Sequence, residues 1–289
     1  MRAVLFFLSI AAALSAQDAR EIVRKSVELD QTNRHAMQNY TWTAKETERN
    51  LDPNGNVKSE KSSRWETVIL YGEPFRRVIE RDGKPLSPDE QRKEQEKLDE
   101  KAAKFANESA SDREKRLAKK EKERQKELEF LREIPDIYDL QIERSDKVDG
   151  RDVWVISATP KANYTPKNSD AKVLQKMKGE LWIDKTEYQW VRLEAETIDT
   201  ISFGLVLFRL SPGSKLIFEQ SRVNDEVWLP KRQWVRGGAR VALLKKLSEE
   251  QELTWSNFRK FSADSKLVGQ TIGLRGLSPA ANSKPPSAE

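Results

Sequence analysis

The chain contains one histidine, His35, and no cysteine, which removes most of the side chains from which metal centres and activated nucleophiles are built. A zinc site needs three or four His, Cys or carboxylate donors. A lone histidine late in a helical stretch is better placed to meet the negative end of the helix dipole. A Ser-His-Asp arrangement through His35 stays open on residue types alone, but no Gly-x-Ser-x-Gly turn accompanies it. Gly237-Gly238 lacks the lysine and the spacing of a phosphate-binding loop. Carboxylates are plentiful, 47 against 52 Lys and Arg, and a glycosidase-like pair among them would look no different from solvated surface charge. The inventory predicts no enzyme, no metal and no cofactor.

What remains is apolar surface. The stretch Phe203-Gly204-Leu205-Val206-Leu207-Phe208-Arg209-Leu210 reads as one strand that is apolar on both faces. One face of an antiparallel sheet normally meets water, so such a strand must be covered twice. Ordinary core is one solution, and a hydrophobic ligand or partner is the other. The candidate ligand-lining positions are Trp182, Trp190, Phe203, Leu205, Leu207 and Phe218. A slip of one residue in register would turn every one of them to the other face.

The elements that must position these residues begin with an export signal. Met1-Arg2, the apolar run Ala3 to Leu14 and the small pair Ser15-Ala16 have the layout of a cleavable signal peptide over residues 1–16. A retained anchor or a buried first helix is the competing reading. The absence of cysteine excludes a lipoprotein-type anchor and disulfides, and nothing after Ala16 is long and apolar enough to span a bilayer. The mature chain is expected to be periplasmic or secreted. Its formal charge falls from +5 to +4 when Arg2 leaves, too small and dispersed for a nucleic-acid partner.

Residues 18–37 predict a helix capped by Asp18 and Glu21, with Ala19, Ile22, Val23, Val27 and Leu29 as its apolar stripe. From Tyr40 the period changes to two, and turn signals at 52–55, 82–83, 149–150, 184–185, 212–213 and 224–225 punctuate a meander of hairpins. Residues 87–133 interrupt it. Ser87-Pro88-Asp89-Glu90 and Ser111-Asp112-Arg113-Glu114 each open a helix. Its apolar residues lie mostly toward the ends away from a polar break at 107–110, which suggests a helical hairpin with its tip in solvent. A solvated spacer is the ordinary meaning of such a charge run, and a docking arm for another envelope protein is the sharper one. The domain is expected to span 17–268, with 269–289 an unstructured tail.

One stretch resembles a known family. Gly150-Arg151-Asp152-Val153-Trp154-Val155-Ile156, Thr159-Pro160-Lys161, Gly179-Glu180-Leu181-Trp182-Ile183-Asp184-Lys185 and Tyr188-Gln189-Trp190-Val191-Arg192-Leu193-Glu194 are similar to the outer-membrane lipoprotein-sorting, LolA/LolB-like superfamily. The likeness covers 138–262. It implies an α+β fold, a curved antiparallel β-sheet or incomplete barrel wrapped around helices, whose apolar concave face holds acyl chains in carrier members. The charged helical insert departs from the carrier pattern, and no individual functional residue carries over. The resulting expectation is a non-enzymatic periplasmic carrier or binding protein for a lipid or acylated ligand. The alternative is an envelope interaction or stress-sensor protein that uses residues 87–133 to dock a partner.

Overall fold

Period-two alternation from Tyr40 onward becomes an antiparallel sheet, and a single long helix lies across it. The computed structural model describes residues 2–203, 208–241 and 245–261. Helix α1 (Arg2–Met37) leads into β1 (Tyr40–Leu51), β2 (Val57–Leu70), β3 (Glu73–Arg81) and the short β4 (Lys84–Pro85). Helices α2 (Pro88–Ala106), α3 (Ala110–Arg132) and α4 (Ile134–Ile137) follow. The chain returns as β5 (Tyr138–Val148), β6 (Arg151–Pro160), a 3-10 turn (Ser169–Lys176), β7 (Met177–Asp184) and β8 (Trp190–Thr197). The described residues close with β9 (Ile201–Phe203), β10 (Phe208–Leu210), β11 (Lys215–Val223), β12 (Val227–Val241) and β13 (Lys245–Lys260).

Eleven strands run edge to edge in the order β4-β3-β2-β1-β13-β12-β11-β8-β7-β6-β5, and the two ends do not pair. The fold is therefore α+β, with a curved antiparallel sheet that stops short of a barrel. The first and last strands of the described residues are neighbours near its centre, with Tyr40 opposite Lys260 and Asn50 opposite Glu249. Asp82-Gly83, Asp149-Gly150 and Asn224-Asp225 all take positive φ at both positions, the mirror-image turn that fits the twist of a hairpin.

Helix α1 crosses the strands in sheet order. Ala19, Ile22 and Val23 are buried against Tyr138 and Leu140 of β5, Ile156 of β6 and Ile183 of β7. Asp30 then meets Trp190 of β8, whose Nε1–H donates to the carboxylate at 3.2 Å. Asn33 reaches β12, and Ala36 and Met37 pack near Tyr40, Val227 and Leu229. From residue 19 to 37 the helix advances ~27 Å, while the strands it passes, from β5 to β1, would occupy ~34 Å if laid flat. The sheet bends toward the helix to make up the difference.

The buried stripe of α1 differs from the expected one. It continues through Ser26, Asp30 and Asn33, while Val27 and Leu29 are only half buried. These polar groups are tolerated because the sheet satisfies them. Asn33 Nδ2 donates to the Trp228 carbonyl and the Trp228 N–H donates to Asn33 Oδ1, both at 2.8 Å. The helix also begins at Arg2 and runs unbroken past Ala16, so Asp18 is an interior residue here and not a cap.

The Phe203–Leu210 stretch is not one strand. Ile201–Phe203 and Phe208–Leu210 are two short strands paired with each other, Phe203 opposite Phe208. The need to cover one strand on both faces therefore disappears. The insert also differs from expectation. Helix α2 has the predicted Ser87–Glu90 capping box, but α3 is capped by Ser109, whose hydroxyl accepts from Asp112 N–H at 3.1 Å, and not by Ser111. Its tip is tied down. Phe105 lies edge-on to Phe75 at 5.6 Å. Arg116 donates to Glu73 at 2.6 Å and to Glu108 at 2.8 Å, and Lys120 also pairs with Glu73. At its other end Glu127 accepts from Arg34 of α1 at 2.7 Å. In sequence the insert joins β4 to β5, the two edges of the open sheet.

Replacing Asn33 by alanine strands the buried N–H and C=O of Trp228, and by aspartate keeps only the acceptor. Each variant should lose about 2–4 kcal/mol of stability. Thermal melts check this. A melting temperature within one degree of the parent, on the order of error, would remove the clamp from the account.

Candidate functional site

The two faces of the sheet are finished differently. On the face away from α1, Val153, Val155, Trp182, Val191 and Trp228 form a buried cluster. Arginine stems and ion pairs seal it. The Arg144 and Arg192 guanidinium groups stand 5.8 and 5.5 Å from the Trp182 ring centre, and Arg151 stands 5.2 Å from that of Trp228. Arg192 in turn donates to Glu219 at 2.8 Å, and Arg144 to Glu180 at 3.2 Å.

The face that carries α1 is left partly open. Leu181 packs against the α1 core and pairs across the sheet with Leu193, Leu193 with Phe218, Phe218 with Gln233, and Gln233 with Leu253. Directly opposed residues share a face, so this row continues the helix-bearing surface over ~19 Å. Beside it run Ala195, Leu216 and Val235, and Trp255, Ala44 and Trp65. Of these only Ala44 is fully buried. The side chains form an apolar floor whose apolar positions extend past the helix that covers its neighbours. Among the described residues, the indole N–H groups of Trp42 and Trp65 find no acceptor, although both are shielded from water.

The sequence-derived lining positions divide. Phe218 lies in the floor. Trp190 faces the same side but is held under α1 by Asp30. Trp182 is on the sealed face. Phe203 ends β9, where its backbone pairs with Phe208, while Leu205 and Leu207 lie outside the described residues. Leu181, Leu193 and Leu253, which share the face of Phe218, are not among the sequence-derived positions. Their alternation was legible, but which strands stand side by side was not.

Charged cavities lie elsewhere among the described residues. One of about 690 Å³ separates α2 from β3 and is lined by Arg77, Ile79, Gln91 and Gln95. Another of about 530 Å³ lies among Lys126, Glu133, Lys167 and Asp170. In the second, Glu133 already accepts from Tyr164 Oη–H at 3.0 Å and Asn168 N–H at 3.1 Å. Among the described residues no cluster of three or more metal-binding side chains forms, and no helix is long and apolar enough to cross a membrane.

The family-like motif has a structural explanation. Asp184, 1% exposed, accepts from Arg151 at 2.7 Å and from the Thr186 and Glu187 N–H groups at 2.9 and 2.6 Å. It thereby fixes the turn from β7 to β8. Gly179 is required because a Cβ there would collide with the Glu194 carbonyl oxygen.

No family model and no curated protein matches the chain. Solved structures are similar over most of its length. A putative outer membrane lipoprotein-sorting protein domain from Vibrio parahaemolyticus aligns with 86% of this chain and 99% of its own, at 13% identity and a TM-score of 0.35. A DUF1329 family protein from Desulfovibrio piger aligns with 86% and 94%, at 14% identity and 0.33. A LolA superfamily protein from Nitrosomonas europaea aligns with 86% and 96%, at 12% identity and 0.28.

Burial alone would raise the Asp184 carboxyl, but Arg151 and the two backbone N–H groups outweigh it and hold it below the ordinary carboxylate value. A depressed folded-state value gives stability that is present above the unfolded value, about 3.9, and lost as pH falls through the folded one. Asp184→Asn should therefore cost about 2–3 kcal/mol near neutral pH. The gap from the parent should narrow below about pH 4. Thermal melts across that range test it, and a gap that stays constant with pH would contradict it.

Proposed function

We propose that this chain is an exported, non-enzymatic carrier or binding protein of the bacterial periplasm, holding a lipid or acylated ligand on the apolar floor. The observation that carries the reading is the half-buried row Leu181–Leu193–Phe218–Gln233–Leu253 beside α1, apolar at every position but Gln233. A monomeric soluble protein seldom leaves a largely apolar surface partly uncovered without a use for it. Each methylene laid on such a floor contributes about 0.8 kcal/mol when fully covered. Half of a sixteen-carbon chain would thus supply about 6 kcal/mol before the cost of association.

A second reading makes the insert a docking arm for another envelope protein. What favours it is the exposure of α3 from 110 to 127, where only Arg116 is partly buried. What weakens it is the shortage of apolar anchors there, since Leu117, 49% exposed, is the one large apolar side chain standing out of α3. Protein interfaces draw their energy from such anchors.

Native mass spectrometry and lipid extraction of protein taken gently from its own periplasm should reveal a bound acyl species. A fluorescent fatty acid should bind in vitro. Phe218→Glu with Leu193→Glu should weaken that binding by at least about tenfold, whereas Trp182→Phe, on the sealed face, should leave it unchanged. Repeated preparations without lipid, together with no dye binding, would sink the carrier reading.

Export makes a separate expectation. Intact-mass measurement of the secreted chain should show loss of residues 1–16, after which Asp18 stands in the first turn of a shortened α1, where a carboxylate is stabilising. Recovery of the full-length mass from the periplasmic fraction would refute cleavage after Ala16.

A further inference from the structure

Helix α3 carries a feature that the apolar floor does not use. Lys115, Lys119, Lys122 and Lys126 recur at i, i+4, i+7 and i+11, so they fall within ~60° of one another around the helix and follow a line ~16 Å long. All four are exposed, Lys115 and Lys119 at 76% and 78% of their side-chain surface. Lys115 and Lys119 have only loose acidic neighbours, Asp112 at 3.7 Å and Glu123 at 3.9 Å. At such exposure these pairs neutralise little. The other basic groups of this stretch are engaged on other sides of the helix. Arg116 and Lys120 are bound to Glu73, and Arg124 donates to Glu121. Glu114, Glu121 and Glu127 project away from the lysine line by the same helical geometry, while Asp112, Glu123 and Glu129 lie at its margins.

We infer that this lysine line docks the protein on the anionic surface of a phospholipid bilayer. Three observations favour that partner. The line contains no aromatic or aliphatic anchor, and lysine is depleted at the cores of protein interfaces. Lysine is a flexible point charge without the planar fork of arginine, suited to a diffuse array of headgroups more than to one fixed site. The rod is also held at both ends, by Glu73 near its start and Arg34 near its finish, so the charges are presented in line without further ordering. The geometry does not require a lipid in the floor, and the two ideas stand separately.

The test is co-sedimentation of the mature protein with vesicles of pure phosphatidylcholine and with vesicles containing about 30% phosphatidylglycerol, at low and at physiological salt. Binding is expected only to the anionic vesicles and should fall as salt rises. Replacing the four lysines by glutamine, which keeps helix propensity, should weaken it by at least about 100-fold, at roughly fivefold per lysine. A control with Lys45, Lys58, Lys61 and Lys147, all exposed, changed to glutamine should keep most of the binding, and circular dichroism confirms that both variants fold. Three results would overturn the inference: no binding of the parent to anionic vesicles, equal loss in the control, or retention in the stripe variant. Salt-independent binding to phosphatidylcholine that the stripe variant keeps would instead point to the apolar floor.

Discussion

The arrangement depends on how one helix is accepted by a bending sheet. Asn33 offers its amide to the backbone of Trp228 as both donor and acceptor, doing for β12 what a neighbouring strand does elsewhere. Asp30, three residues earlier, takes the indole N–H of Trp190 and the Arg34 guanidinium. Buried polar groups in a helix are costly unless matched, so these bonds fix both the rotation and the axial position of α1. With α1 fixed, the strands from β5 to β1 have a common element to curve around. The apolar floor is the part of the same surface that this element does not reach.

An open sheet leaves two edges, and exposed edges invite pairing with other chains. Here β3 is covered by α2, where the buried Glu94 receives the Val78 N–H at 3.4 Å and pairs with Lys97 at 2.7 Å. At the other end β5 is packed by α1 and α4. The insert runs from one edge of the sheet to the other. Its charge is therefore compatible with a structural task that composition alone does not reveal, since helices held at their ends need bury little along their length.

Much of the architecture was legible in the sequence because it rests on local chemistry. The Asp-Gly and Asn-Asp pairs give hairpin turns through their tolerance of positive φ, and Ser87 with Glu90 announces the start of α2. What was not legible rests on contacts between distant residues. Asn33 and Asp30 look like solvent-facing positions until Trp228 and Trp190 are brought to them. Trp182 and Trp190 look like partners, yet an irregularity in the β7–β8 register between Trp182 and Ile183 leaves them on opposite faces. Gly204 looked like an interior residue of one apolar strand, while the residues flanking it, 201–203 and 208–210, belong to two. The residues of the β6–β8 motif have local reasons for their identity, because Gly179 permits close strand approach and Asp184 fixes a turn.

The adjacency of β1 and β13 at the centre of the sheet bears on how the chain reaches its folded state. Contacts such as Tyr40 with Lys260 close a loop of more than two hundred residues, and pairing at such separation is slow to form. As synthesis proceeds from the N-terminus, β1 has β2 on one side but must wait for nearly the whole chain before its other side is filled. A nascent chain therefore cannot complete its central ladder prematurely. That delay leaves final assembly of the sheet to the moment at which β13 arrives.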